Sequence, residues 1–308
     1  MTSQDTYRAF CQNRNDLSIF MQPFWLDLTC EPESWDAVFS RREDGSIQGA
    51  WAYRFGSKLG MKWIKLPVLT PFTALWIDIP DDHSPQKEIA FRHAVLADLE
   101  RQLPRAQIVE LKLPWTMQDW LPLYWKGYRQ ETRYTFRFAY VNVEVVHEGF
   151  SKSFRRNLRV AERHYTIEDG QISDLYVFME TVLEMRNAHV LFQQQKLEEI
   201  VEALQKRQQC KIYAARDTDG VQATVLAVWD ESTTYYLIGG RRKTDSRYSI
   251  NILLWQAIQD AAQRGHAFDF EGSMLEGVNK FFQSFGAQLT PYHYIYRYRG
   301  PAKVKYLL

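Results

Sequence analysis

Apolar and polar positions along the chain change period repeatedly, and the changes mark strands and helices. Residues 35–40 and 47–55 alternate on either side of Glu43-Asp44-Gly45, which predicts a hairpin. Alternation resumes over 59–69, ahead of Pro71, and again over 75–79. Between 86 and 103, Ile89, Ala90, Val95, Leu96 and Leu99 supply an apolar helical stripe that Pro104 closes. A buried-type strand at 107–113, a short Trp-rich helix at 117–125 and a long alternating strand at 130–143 complete the first half.

The second half opens with a two-faced helix over 150–165. Phe150, Phe154, Leu158, Ala161 and Tyr165 line one side, and Lys152, Arg155, Arg156, Arg159 and Arg163 line the other. Helices at 173–187 and 195–208 follow, then strands at 210–216, 221–229 and 233–239 joined by tight turns. The helix over 248–264 stops at Gly265. Phe268 and Phe270 then alternate with Asp269 and Glu271, as in a half-buried strand that Gly272 and Ser273 end. Val278, Phe281, Phe282 and Phe285 return to helical spacing, Gly286 stops that helix, and a Tyr-rich strand follows.

Composition narrows the function. At 308 residues the chain has room for two domains, and its 45% hydrophobic share is ordinary for a globular protein. A net charge of +1 removes global charge as an argument for nucleic-acid or membrane binding, leaving only local basic surface. Cys11, Cys30 and Cys210 are odd in number and form no C-x-x-C pair, so neither a disulfide framework nor a metal site is expected. A reduced, cytoplasmic setting fits. The first ten residues lack a signal-peptide pattern, and no stretch approaches the roughly 18 apolar residues of a membrane span. His189, His266 and His293 are isolated, which argues against a catalytic triad.

Three segments carry a resemblance. They are PLYWKGYRQETR at 122–133, SFRRNLRVAER at 153–163, and the strand–turn–helix of 268–286. In this order the chain resembles the FemABX-like branch of the GNAT acyltransferase superfamily. The resemblance implies an α/β (α+β) fold of two tandem GNAT-like mixed-sheet domains flanked by helices. Their expected spans are 1–146, a degenerate copy, and 147–308, the acyltransferase domain, with a cleft near their junction. It implies an N-acyltransferase or aminoacyltransferase that takes its group from acyl-CoA or aminoacyl-tRNA, with no tightly bound cofactor. The acceptor would be the amine of a small molecule or cell-envelope precursor. The family's last helix commonly reads Phe-Lys-x-x-Phe-Gly, with the Lys set against charge developing on the donor. Here Phe282 stands at that position. Lys280 lies two residues earlier, about 200° round the helix.

Acyl transfer needs a neutral amine, a polarised carbonyl and both held together. By the resemblance, the loop after the fourth strand holds the donor. Here it comprises Gly239, Gly240, Arg241, Arg242 and Tyr248, with Ser246 or Ser249 as a helix cap. Glu271 and Asp269, two apart on one predicted strand, are the candidate proton acceptors. Tyr236 is placed to orient substrate, and Arg155, Arg156 and Arg159 to hold an anion such as a nucleotide-linked substrate or tRNA. The aromatic segment 115–128 reads as core, interdomain interface or cleft wall. The rival reading is a catalytically inactive GNAT-fold protein that binds a nucleotide-linked or RNA ligand.

Overall fold

A computed structural model describes residues 1–185, 187–190, 192–243, 248–272 and 274–300. Its first elements are α1 (Ser3–Cys11), α2 (Pro23–Thr29), β1 (Trp35–Arg41), β2 (Ile47–Lys58), β3 (Met61–Lys65), β4 (Ala74–Ile77), α3 (Pro85–Gln102), β5 (Ile108–Lys112), α4 (Leu121–Trp125) and β6 (Arg129–Phe138). There follow α5 (Val143–Gly149), α6 (Lys152–His164), β7 (Thr166–Asp169), α7 (Ile172–Glu184), α8 (Gln194–Lys206), β8 (Cys210–Asp217), β9 (Gly220–Trp229), β10 (Thr233–Arg241), α9 (Ser249–Arg264), β11 (Ala267–Asp269), α10 (Glu276–Gln283) and β12 (Gln288–Tyr298). The chain divides into two compact units, Met1–Arg133 with Pro291–Leu308, and Tyr134–Thr290.

In the first unit the sheet runs β1-β2-β3-β5-β12, with β4 also paired to β2. The predicted hairpin is present: β1 and β2 pair antiparallel from Trp35↔Arg54 to Arg41↔Ile47, round a turn where Gly45 takes φ +86. Trp51, Leu96, Leu99, Val109 and Ile295 pack into one core. The buried Trp51 indole donates to Thr73 Oγ1 at 2.8 Å, so its polar edge is satisfied inside the apolar cluster. A buried ion pair, Glu100 to Arg297 at 2.6 Å, ties α3 to β12, and the Arg297 guanidinium lies over the Tyr128 ring.

In the second unit the sheet runs β6-β11-β10-β9-β8-β7. β8, β9 and β10 form an antiparallel meander, β11 pairs parallel with β10, and Phe268 and Asp269 of β11 pair antiparallel with Phe138 and Arg137. α6 begins where Ser151 Oγ accepts from the Phe154 N–H at 3.1 Å, and it buries Phe154, Leu158 and Ala161. Phe154 stacks against Phe285 at 4.2 Å between ring centres, and Phe150 meets Trp255 edge-on at 5.0 Å. Each fully buried Phe or Leu in this cluster contributes about 1.5–3 kcal/mol of transfer free energy.

Several expectations are corrected. The strand predicted over 59–69 shrinks to β3, because Leu59 (φ +52) and Gly60 (φ +76) form the β2–β3 turn. The strand predicted over 130–143 stops at Phe138, and Asn142 then caps α5, accepting from the Val145 N–H at 3.0 Å. The strand expected to include Glu271 ends at Asp269, since Glu271 and Gly272 both take positive φ. Asp269 and Glu271 therefore do not share a strand face. The division into units also differs from the expected 1–146 and 147–308 spans. Tyr134–Phe138 pairs and packs with the second unit, and Pro291–Tyr298 with the first. The aromatic segment splits: Leu123 and Tyr128 are core, while Tyr124 and Trp125 are exposed.

Candidate active site

β10 and β11 run parallel but stay paired only over Thr233–Tyr235 and Ala267–Asp269. Past Tyr235, β10 continues to Arg241 with its ladder on β9 alone, and the register shifts between Tyr236 and Ile238. A parallel pair that parts this way leaves a slot beyond the carboxyl ends of its strands, where open α/β sheets bind ligands. A cavity of about 470 Å³ lies there. Its walls are Tyr236, Gly239, Gly240 and Arg241 of β10, Tyr248, Ile250 and Asn251 at the start of α9, Gly277, Val278, Phe281 and Phe282 of α10, and Val182 of α7. Every one of these residues belongs to the second unit.

Five of the sequence-predicted residues meet at this cavity: Tyr236, Gly239, Gly240, Arg241 and Tyr248. The two glycines have a different local reason from the one expected. A Cβ on Gly239 would collide with the Tyr236 ring, and one on Gly240 with the backbone of Phe178 in α7. Gly239 thus lets Tyr236 fold back over the strand, and Gly240 lets α7 press against it. Tyr248 takes φ +65 as the N-cap of α9, and no described side chain caps that end. The first-turn N–H groups and the positive end of the helix dipole border the slot. Ser249 is the first helical residue and is buried, not the cap; Ser246, the other expected cap, lies outside the described residues, as does Ser273.

The remaining candidates fall elsewhere. Arg242 is exposed, its N–H donates to the Gln222 carbonyl at 2.9 Å, and its guanidinium sits by Gly220 in the β8–β9 turn. Asp269 is buried within hydrogen-bonding reach of Arg137 Nε at 2.8 Å, and it accepts from Thr135 Oγ1 at 2.6 Å and from the Glu271 N–H at 2.9 Å. Burial pushes its pKa up, while the Arg137 charge and the Thr135 hydroxyl pull against that. Neither Asp269 nor Glu271 lines the cavity. Glu271 lies two residues beyond β11, half-buried, at the end of the sheet towards which β10 and β11 part. On α6, Arg155 is half-buried and Arg156 and Arg159 are exposed. Together with Lys152 and Arg163 they have no ion-pair partner among the described residues.

Phe282 is buried and forms the apolar end of the slot. It meets Tyr236 edge-on at 6.0 Å and packs on Phe270 at 4.9 Å. Lys280 points to solvent and pairs with Glu276 at 2.5 Å, so it does not replace a lysine at 282. Among the described residues, no group of three or more His, Cys, Asp or Glu side chains could hold a metal, and no helix is long and apolar enough to cross a membrane. Sequence reasoning gave no site role to Val182, Ile250, Asn251 or Gly277. The one available signal was Asn251, a buried polar residue beside the apolar run Ile252–Leu253–Leu254.

Residues 149–282 match the family described as acetyltransferase (GNAT) domain. No sequence match is found among curated proteins. Among solved structures the chain is similar to FemX, at 14% identity, covering 96% of each chain with a TM-score of 0.64. It is also similar to L-PGS from Bacillus licheniformis, at 14% identity, 98% of this chain, 94% of that one and a TM-score of 0.53. A tandem GNAT protein from the clavulanic acid biosynthesis pathway matches at 9% identity over 89% of this chain and 86% of that one, with a TM-score of 0.50. Residues 149–282 thus match the GNAT domain model, and they lie within a mixed α/β fold similar to that of FemX.

Proposed function

We propose that the second unit transfers an acyl or aminoacyl group from a phosphate-bearing donor, acyl-CoA or aminoacyl-tRNA, to an amine. The observation that carries this reading is the parting of β10 from β11 beside the start of α9. The β10 edge over Gly239–Arg241 and the first turn of α9 would hold the donor, with Arg241 and Tyr248 at its phosphates and Arg242 adding positive field. Val278, Phe281 and Phe282 give an apolar wall for the acyl portion, which favours a thioester donor. The amine nitrogen attacks the donor carbonyl, a new C–N bond forms, the C–S or C–O bond breaks, and the departing thiolate or ribose alkoxide takes up a proton equivalent to the one that the amine loses. Glu271, at the open end of β11, takes the proton that the amine loses, and Tyr236 orients the reactants. Acceptors of the class to test are small-molecule and cell-envelope precursor amines. The unpaired cations of α6 suit the phosphates of a nucleotide-linked substrate or tRNA.

Phe282 also favours a second reading, a non-catalytic protein that binds a nucleotide-linked or RNA ligand. The test is to assay the whole chain with acetyl-CoA and with aminoacyl-tRNA against a panel of amines. Transfer is expected. Arg241→Glu should raise the donor KM about tenfold with kcat nearly unchanged, and Glu271→Gln should lower kcat tenfold or more, on the order expected for a lost general base. Wild-type kcat in Glu271→Gln removes that residue from the mechanism. No transfer to any amine, with a nucleotide-linked ligand still bound, decides for the binding protein.

A further inference from the structure

α4 presents a face that its short length does not require. Leu121, Tyr124 and Trp125 lie at i, i+3 and i+4, one side of a helix. They are 45%, 59% and 64% exposed. The opposite side holds the element down through the buried Pro122 and Leu123. Trp125 touches the His93 ring edge-on at 5.4 Å, and Ile89, one turn before His93 on α3, is 51% exposed. Lys126 and Arg129 follow directly; both are exposed, and neither has an ion-pair partner among the described residues. The nearby acids are already engaged: Asp119 with His93 at 2.7 Å, Glu88 with Arg92 at 2.6 Å and Glu131 with Arg133 at 3.0 Å.

We infer that this face of the first unit docks on an anionic lipid surface. Tyr and Trp beside an aliphatic side chain, edged by unpaired cations, match the headgroup level of a bilayer: rings at the interface, ammonium and guanidinium groups among lipid phosphates. A second copy of the chain fits less well. The exposed apolar part of the patch is on the order of 400 Å², about half of what one partner of a stable interface buries. Unpaired lysine is also depleted from interface cores. Peripheral docking of this kind needs no spanning helix, and it draws on residues of the first unit alone. It stands whether or not the second unit transfers acyl groups.

Flotation of the whole chain with vesicles of phosphatidylcholine, with and without 30% phosphatidylglycerol, is the test. Binding is expected only with the anionic lipid and should fall as salt is raised. Lys126→Glu with Arg129→Glu should weaken partitioning at least twenty-five-fold, about fivefold for each cation removed. Tyr124→Ala with Trp125→Ala should weaken it about tenfold or more. Both changes are at exposed positions, and an unaltered circular dichroism spectrum and melting curve would exclude unfolding as the cause. Wild-type binding that both double variants retain overturns the inference. So does absence of vesicle binding, including the case where sedimentation shows a dimer that Trp125→Ala dissociates.

Discussion

Phe282 does two jobs that pull against each other. It closes the slot with an apolar face, and it is wedged among Phe136, Phe270, Phe281 and Tyr236. Truncation to alanine deletes a large buried side chain and leaves a void bounded by rings that cannot collapse freely. Phe282→Ala should therefore lose about 3–5 kcal/mol of stability. Phe282→Leu, which keeps most of the volume, should lose under about 1.5 kcal/mol. Urea midpoints at constant m-value measure both; equal losses for the two would mean that shape at this position does not matter. The same residue shows what sequence can reveal. Its helical spacing with Val278, Phe281 and Phe285 was legible, and so was its place where a lysine is expected. That its ring would meet Tyr236, far earlier in the chain, depended on β10 bending past Tyr235, which no local pattern records. Asp269 failed in the opposite direction. Alternation with Phe268 and Phe270 marked it as facing a polar side, yet β11 is covered on both faces, and the carboxylate is taken up by Arg137 and Thr135.

At the scale of elements, patterns with strong periodicity were readable and those decided by neighbours were not. α6 announces itself through a wide apolar stripe and an opposite basic one. α5 does not, because the alternation that predicts a strand runs on to Val143, and Asn142 instead caps Val143–Gly149 into a helix. β7 is a four-residue edge whose identity rests on pairing with β8 rather than on its own sequence. The basic stripe of α6 carries a test of its own. Cations at 152, 155, 156, 159 and 163 repel one another, and among the described residues no carboxylate offsets them within an ion-pair distance. A polyanion laid along them would release counterions. With a single-stranded RNA probe, reversal of Arg155, Arg156 and Arg159 to Glu should reduce the magnitude of the slope of log K against log salt by about two, at roughly 0.7 for each phosphate no longer neutralised. An unchanged slope would leave the stripe as ordinary solvated surface. The helix itself should survive, since Phe154, Leu158 and Ala161 hold it from the other side.

For the whole molecule, the segment 134–146 decides whether the second unit can be considered a self-contained body. It brings Phe136, Val141 and Val146 into the core that also holds Phe268, Phe270 and Phe282. It also brings Arg137, set against the buried carboxylate of Asp269 at 2.8 Å. A fragment spanning 147–290 forfeits both contributions. Losing three buried apolar side chains costs several kcal/mol at about 1.5–3 kcal/mol each. Leaving Asp269 buried without its cation costs about 3–5 kcal/mol more. The sum is comparable to the entire stability of a domain, about 5–15 kcal/mol. Part of the loss is recovered if Asp269 takes up a proton, which its burial already favours. The 147–290 fragment should then gain stability as the pH falls towards the range where that carboxyl protonates, because the folded form binds a proton that the unfolded chain releases near its ordinary value of about 3.9. A fragment spanning 134–290 keeps the pair and should unfold cooperatively at neutral pH, with a higher urea midpoint than the shorter one. Equal midpoints at pH 7 for the two would show that β6 adds nothing to this core and that Arg137 is not what keeps Asp269 in place.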